Sequence, residues 1–589
     1  MKTFLFYAFT VALCIVNAHA QRMDADAIFS AMDTEQQRSI RELHLGNLAR
    51  PYNIEYVLQI RHAASVHSVL GTVEDIDSGT RASLTVRIRV GSPTFDNTNF
   101  FDVSLGFFGS SDDEEGFKNR TIPFELSPSN LRRELWLATD ACFKQAVETY
   151  AKKEATLKNR TRSDTTWDFS FQPGQRVDDV STPTVEPDVV AMTELTERLS
   201  AIFTTYPLIQ NSRVGIEVVP EETFYINTEG RRSHKRESFC GIEVVATTQA
   251  TDGMPLAQTY AAYGIVPNDL PSIDSLERAV RSVAIILSAQ TSASVIEPYS
   301  GPVLFEGQAA AGIFGQFFAP NLVAQRAVLS EGGFSTNDRN RAFQNKIGAR
   351  VLPEFLSVNA VPSRARDNGR ILAGHYTVDD EGMNAQDVLL VEKGYLRSLL
   401  SSRVPTKRIK ASNGHQRGGG AMYSTLDVTC SDAKRRLSSA DLKKRLLKLV
   451  KDRDLPYGII VRSTMDQNLL FTGVFRQLGS DLPISQGEGK IGLINSYRVY
   501  PDGHEELIRG VEGAGIAPAS FKDIVAVSKR TTVHNFLAPS VIPSFISGGS
   551  AYLLSSIITP DLLFEDIEVR PLDGDMPKPP TLSNPIAGE

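Results

Sequence analysis

The chain has 589 residues, 41% of them apolar and 22% charged, with a formal net charge of −7. That length exceeds what one hydrophobic core organises, so two or three domains are expected. The acidic balance argues against a nucleic-acid partner for the whole chain, because phosphate binding rests on clustered cationic charge.

Residues 1–20 read as a secretory signal: Lys2, the apolar run Phe4–Val16, then Ala18-His19-Ala20 before Gln21, a small-x-small cleavage pattern. Cys14 follows Leu13, which is too large for a lipoprotein cleavage site. The mature chain is therefore expected to start at Gln21 and to be exported, to the periplasm or beyond. Loss of Lys2, the one charged residue of that segment, takes the net charge from −7 to −8. No later apolar run approaches the ~18 residues of a membrane-spanning helix, since Val280–Leu287 is short and follows Glu277 and Arg278. Cys142, Cys240 and Cys430 remain, odd in number and widely spaced, which predicts buried free thiols rather than a disulfide framework.

Along the chain, residues from Asn53 to Val103 alternate apolar and polar, clearest in Leu84, Val86, Ile88 and Val90, and predict antiparallel strands. The acidic run Ser110–Gly116 lacks the alternate-position ligands of a cation loop and reads as a solvated turn. A helix is expected over Leu131–Leu157, then a proline-bearing connection over Thr165–Pro187 and a second helix over Asp188–Phe203. Short strands follow at Val214–Val219, Phe224–Asn227 and Gly241–Thr247, with Thr228-Glu229-Gly230 as a turn, and then an amphipathic helix over Asp274–Gln290.

Tyr299–Pro320 is an apolar strand-like run, a Gly/Gln turn and a small-residue helix, a way to present helix side chains to a cleft. Beyond it come strands with glycine turns, at Gly374–Val378, Val388–Glu392, Gly458–Arg462, Ile491–Tyr500 and Ala526–Ser528. The basic segment Lys434–Arg453 has Leu442, Leu446, Leu449 and Val450 on one stripe and reads as a helix with a solvated charged face. The fold class is α+β: a signal segment (1–20), an N-terminal sheet-and-helix domain (21–298), a mainly β C-terminal domain (299–570) and a proline-rich tail (571–589).

Few motifs carry chemistry. Gly418-Gly419-Gly420 has no strand-to-helix context for a phosphate cradle, and there is no GxSxG elbow. His504-Glu505 starts like a zinc motif, but Ile508 and Arg509 stand where a second histidine would be, and Pro501-Asp502-Gly503 puts the pair on a strand start. His375, His415 and His534 are scattered polar candidates. Asp379-Asp380-Glu381 forms a carboxylate cluster at a turn, suited either to capping it or to holding a cation or a peptide amine.

Several segments resemble the TldD/PmbA family. They are Tyr225–Gly230, Gly301–Ala310, Lys346-Ile347-Gly348, Asp380-Glu381-Gly382, Val391–Leu396 and Ser540–Arg570 with its Pro560-Asp561. The region before Asn211 is similar to an enlarged, exported branch of that family. The resemblance implies a TldD/PmbA-like fold and a metallopeptidase-related function in proteolysis. Active members of the family carry a zinc-binding HExxxH helix and a cysteine ligand, and pair with a TldE (PmbA) subunit that lacks the motif. Placed on this chain, HExxxH falls on Gly315–Pro320: both histidine positions are replaced, by Gly315 and Pro320, and the glutamate position is Gln316. No cysteine follows Cys430. No catalytic residue, metal ligand or cofactor is thus assigned to this chain, and zinc is expected only in a partner. Phe317 and Phe318 fall where relatives present polar groups to the cleft; with His375, Asp379, Asp380 and Glu381 they are the candidate cleft or interface residues. The resemblance implies a non-catalytic TldE-like subunit paired with a TldD-type zinc peptidase, or a homodimer, acting on peptides. An active peptidase with an unrecognised site and a stand-alone envelope peptide-binding protein are the alternatives.

Overall fold

The computed structural model describes residues 23–101, 120–158, 165–183, 185–330, 340–465, 488–542 and 552–572, with parts of the tail beyond. The expected signal segment and the acidic run 110–116 lie outside them. No helix among the described residues is long and apolar enough to cross a membrane.

Two sheets organise the chain. The first is built on Thr72–Ser92, Pro51–Val69, Asn211–Asn227 and Arg232–Gln249, hydrogen-bonded in that order, with Pro255–Gly264 antiparallel to the last. The three short strands expected between Val214 and Thr247 are two long ones. Pro220, which cannot donate to a ladder, is accommodated within the first of them opposite Ser238. Helices Ala25–Glu42 and Pro128–Lys158 cover one part of the sheet through Phe29, Met32, Leu131, Leu135 and Cys142 packed on Tyr56, Leu58 and Leu84. Val189–Ser200 and Ile273–Gln290 lie at the other part, where Leu199, Leu276, Val280 and Leu287 meet Val214, Ile242 and Val244. The helix Ala25–Glu42 and the strand Pro255–Gly264 are not among the elements that the sequence pattern predicts. Cys142 and Cys240 are buried, while Cys430 is only half-buried.

The second sheet, of thirteen strands among the described residues, centres on Tyr552–Pro571. That strand pairs antiparallel with Tyr299–Phe305, Val511–Ala514 and Ile524–Pro539, and parallel with Thr425–Cys430. Period-two alternation puts Val303 and Phe305 into the main core and Leu304 on the opposite face, against Leu442, Leu446 and Leu449 of helix Ser439–Asp452. Gly374–Val378 is not a strand: only Val378 makes an isolated bridge, to Asn384. The tail is not wholly free, because Asn584 donates to Pro207 O and Ile209 O at 3.1 and 3.2 Å.

The two sheets are tied by a buried guanidinium. Arg403 has 0% exposure. Its side chain donates to Ser170 O (2.8 Å) and Glu229 (2.7 Å), its backbone N–H donates to Glu381 (3.1 Å), and it lies 4.1 Å from the centre of the Phe169 ring. Arg89, paired with Glu55 at 2.6 Å, lies 3.7 Å from the centre of the same ring. Arg231 donates to Gly382 O and Pro173 O, both at 2.7 Å. Removing one member of a buried pair leaves the other charge uncompensated. Arg403→Met is therefore expected to lower the unfolding free energy by about 3–5 kcal/mol. Urea unfolding checks this, and a loss below about 1 kcal/mol, the level of an exposed pair, would show that the tie is not structural.

Candidate functional site

The strand Tyr299–Phe305 ends at Glu306, whose N–H donates to Val461 O at 2.9 Å. The chain then turns at Gly307 (φ +53°, ψ −115°), a conformation open to glycine. Asp561 pins the turn by accepting the Gly307 N–H at 2.8 Å. The helix Gln308–Ile313 uses Ala309, Ala310 and Ala311, all buried, to come close to the sheet. Phe314–Phe318 then winds as a π-turn, and Ala319–Leu322 leaves as a 3₁₀ turn.

This winding decides what the motif positions share. Residues five apart on a regular α-helix diverge by about 140°. Here Gly315, Gln316 and Pro320 line one cavity of about 200 Å³. Across it stand Thr464, Met465, His534 and Phe536. π-turns of this kind recur at functional sites. Gln316 donates to Lys490 O at 3.2 Å, leaving its carbonyl oxygen as an acceptor. His534 is half-buried and stacks on Phe536 at 5.4 Å and 7°, and burial pushes its imidazole down to about 4.

The lining does not fit zinc. Among the described lining residues His534 is the one imidazole and the others offer amides, hydroxyls and apolar groups, whereas a zinc site needs three or four imidazole, thiolate or carboxylate donors. Among the described residues no group of three or more His, Cys, Asp and Glu is placed to hold a metal ion.

The other sequence candidates lie elsewhere. Phe318 is in the core, with ring centres 4.9 Å from Phe314 and 5.1 Å from both Phe343 and Phe521, so it reaches neither a cleft nor a surface. Phe317 is half-buried against the same core and does not line the cavity. His375 uses Nδ1 on Pro362 O at 2.8 Å. Asp379 accepts the N–H groups of Glu381 and Met383 at 2.9 Å and of Gln416 at 3.1 Å, capping its turn. Burial and the neighbouring Glu381 raise its carboxyl above the usual carboxylate range, against the pull of those N–H groups. Asp380 accepts from Lys235 at 3.2 Å and from Gly418 N–H at 2.8 Å. Both aspartates edge a separate polar cavity of about 360 Å³, floored by Arg61, Arg87 and Lys235 of the first sheet. Glu381 is part of the Arg403 cluster. His504 stacks on Tyr500, and Glu505 opens a strand and pairs with Lys443 at 2.6 Å.

Thr464 and Asn340 line the cavity but carried no sequence signal. Thr464 directly follows Gly458–Ser463, which runs parallel to Tyr299–Phe305, and the carboxyl ends of parallel strands are where clefts form. That pairing was the one available clue.

Comparison with known proteins gives a consistent picture. The profile of the PmbA/TldA metallopeptidase C-terminal domain matches residues 298–571. Three solved structures share the fold. A candidate modulator of DNA gyrase from Thermotoga maritima has a TM-score of 0.56 at 12% identity, over 92% of this chain and 99% of that one. TldE from Thermococcus kodakarensis has a TM-score of 0.55 at 12% identity, over 92% and 99%. A candidate gyrase modulator from Bacteroides thetaiotaomicron has a TM-score of 0.53 at 11% identity, over 93% and 98%. No curated protein matches the chain.

Two outcomes are expected from this geometry. Phe318→Ala is expected to cost ~3–5 kcal/mol of folding stability and Phe317→Ala less than about 2, read by chemical denaturation. Equal losses would contradict the assignment of one ring to the core and the other to its margin. His415 is fully buried, with Nδ1 on Asn413 O at 2.9 Å, and burial pushes its imidazole down to about 4. The unfolded chain binds that proton near pH 6.5 and the folded chain only near pH 4, so stability falls as pH drops through this window. The slope is at most about 1.4 kcal/mol per pH unit for one group. His415→Gln should remove up to that much of the slope; an unchanged slope in unfolding free energy against pH would refute it.

Proposed function

Because the chain belongs to the TldD/PmbA family through its C-terminal domain, we propose that it is a non-catalytic, TldE-like subunit of an exported zinc-peptidase complex that processes unfolded peptides. The observation that carries this reading is the convergence of Gly315, Gln316 and Pro320 on one cavity whose donors do not suit zinc. On this reading the turn keeps a cavity-forming scaffold without the donors that zinc needs. Gln316 offers an amide where hydrolysis needs a carboxylate to take a proton from water, and an amide cannot do that near neutral pH. The fold shared with a TldE structure supports the same reading.

The partner is a TldD-type subunit that brings its own zinc, and residues 1–20 direct the chain to the envelope. The reading of Asp379, Asp380 and Glu381 as an alternative hydrolytic site has less support, because backbone N–H groups occupy all three carboxylates and Lys235 also binds Asp380.

Purified mature chain should hold well under one equivalent of zinc by elemental analysis, and should capture an HExxxH-bearing relative from the native envelope fraction. One equivalent of zinc lost on His534→Ala would overturn the first part. Capture of no such relative would overturn the second.

Gly315→His with Pro320→His should not create a peptidase. Even with His534 across the cavity as a third imidazole, the general base is absent, because Gln316 stands where hydrolysis needs a carboxylate. A side chain at 315 would also meet Ile557 Cδ1 at 3.1 Å and Phe536 Cζ at 3.3 Å. Chelator-sensitive casein cleavage by this double variant would contradict the argument.

A further inference from the structure

The cavity at the π-turn has features that a merely degenerate site does not need. Among the described residues, none of the side chains that line it carries a formal charge near neutral pH, and burial keeps the His534 imidazole neutral there. Its hydrogen-bonding capacity is also unspent. Thr464 has 1% exposure, yet its Oγ1 has no hydrogen-bond partner among the described residues. An unpaired buried hydroxyl is costly unless something else pairs with it. Gly312 leaves room for that oxygen, which a Cβ at 312 would overlap. Gln316 has its N–H group engaged on Lys490 O and its carbonyl oxygen left over. The ring nitrogens of His534 make no hydrogen bond among the described residues, while the stack on Phe536 fixes the ring plane.

Size and wall chemistry narrow the occupant. A cavity of about 150 Å³ accepts a benzene ring, so one of about 200 Å³ accepts a ring with a small substituent. Phe536, Met465, Pro320 and Val541 supply apolar wall for the ring face. The polar atoms call for both a donor, to satisfy Gln316 Oε1, and an acceptor, to take the Thr464 O–H. A carboxylate would set an uncompensated negative charge against the Gln316 oxygen. An ammonium would enter a lining with no counter-charge, and unpaired buried charges are strongly disfavoured.

We propose that this cavity is a recognition pocket for an uncharged planar group that both donates and accepts hydrogen bonds, of the aryl-carboxamide class, held by Gln316, Thr464 and His534 between apolar walls. The proposal rests on the non-catalytic reading, in that the positions aligned with HExxxH serve here to shape a neutral pocket. In this arrangement Gly315 and Gly312 provide the space, and the π-turn directs Gln316 into it.

Titration of the full mature chain with benzamide, benzoate, benzylamine and toluene, followed by calorimetry and ligand-observed NMR, tests it. Benzamide should bind saturably, at least tenfold more tightly than each of the other three. His534→Phe keeps the ring stack and removes the nitrogens, and should weaken benzamide at least fivefold. Gly315→Leu should abolish binding by filling the space; if that variant does not fold, the His534→Phe comparison decides alone. Absence of saturable benzamide binding, equal binding of any of the other three probes, or unchanged affinity in His534→Phe would overturn the pocket. None of these results bears on zinc content or partner capture, which decide the subunit reading independently.

Discussion

Arg403 holds a full positive charge where water does not reach, and both halves of the chain supply partners to it. Its partners come from three places: Glu229 at a turn of the first sheet, Ser170 and Phe169 on the connection, and Glu381 on a loop of the C-terminal domain. A guanidinium stripped of water is tolerated only when hydrogen bonds and counter-charges replace the solvent it lost. None of those three elements can move away without exposing that deficit. Asn535 makes an uncharged version of the same tie, donating to Tyr263 O of the first sheet at 3.1 Å and to Ile371 O at 3.2 Å, and accepting from Ser556 at 2.7 Å. The relative placement of the sheets, and with it the polar cavity between them, follows from these contacts.

The segments that carry the family resemblance turn out to hold structure rather than chemistry. Glu229 of Tyr225–Gly230 grips Arg403, and the Gly382 carbonyl of Asp380-Glu381-Gly382 receives Arg231. Val391–Leu396 is a two-residue hairpin turn with Lys393 and Gly394 both at positive φ, the geometry that matches strand twist. Asp561 fixes the turn at Gly307 that launches the short helix toward the cavity. A chain can therefore keep the whole scaffold while its site residues change, because the residues that specify the fold are not those that would perform hydrolysis.

At the site itself, backbone winding does what side-chain identity cannot. Fitting an extra residue into one turn brings positions 315, 316 and 320 to a common wall, so the cavity is framed whatever occupies those positions. Glycine, glutamine and proline there give the cavity a neutral wall that offers a carbonyl oxygen as acceptor.

Sequence alone determined the α+β class, the helices near Pro128–Lys158, Ile273–Gln290 and Ser439–Asp452, and the strand Val388–Glu392, because in each the apolar period is sustained over a full element. It also singled out Gly315, Gln316 and Pro320, whose side chains offer no imidazole, thiolate or carboxylate. Tertiary structure decided the rest. The strands from Asn211 to Gln249 are longer than their apolar runs because charged residues within them find partners on neighbouring strands, Glu222 with Arg236 across the ladder and Glu221 with Arg61. Phe317 and Phe318 are adjacent and alike in sequence, and only the packing of Phe314, Phe343 and Phe521 puts one in the core and leaves the other at its edge. His534 is 219 positions beyond Gly315, and no local pattern joins them. They meet because Ile524–Pro539 and Tyr299–Phe305 both pair with the long strand Tyr552–Pro571, and strand pairing between distant segments is fixed by burial of the whole sheet rather than by any short stretch of sequence.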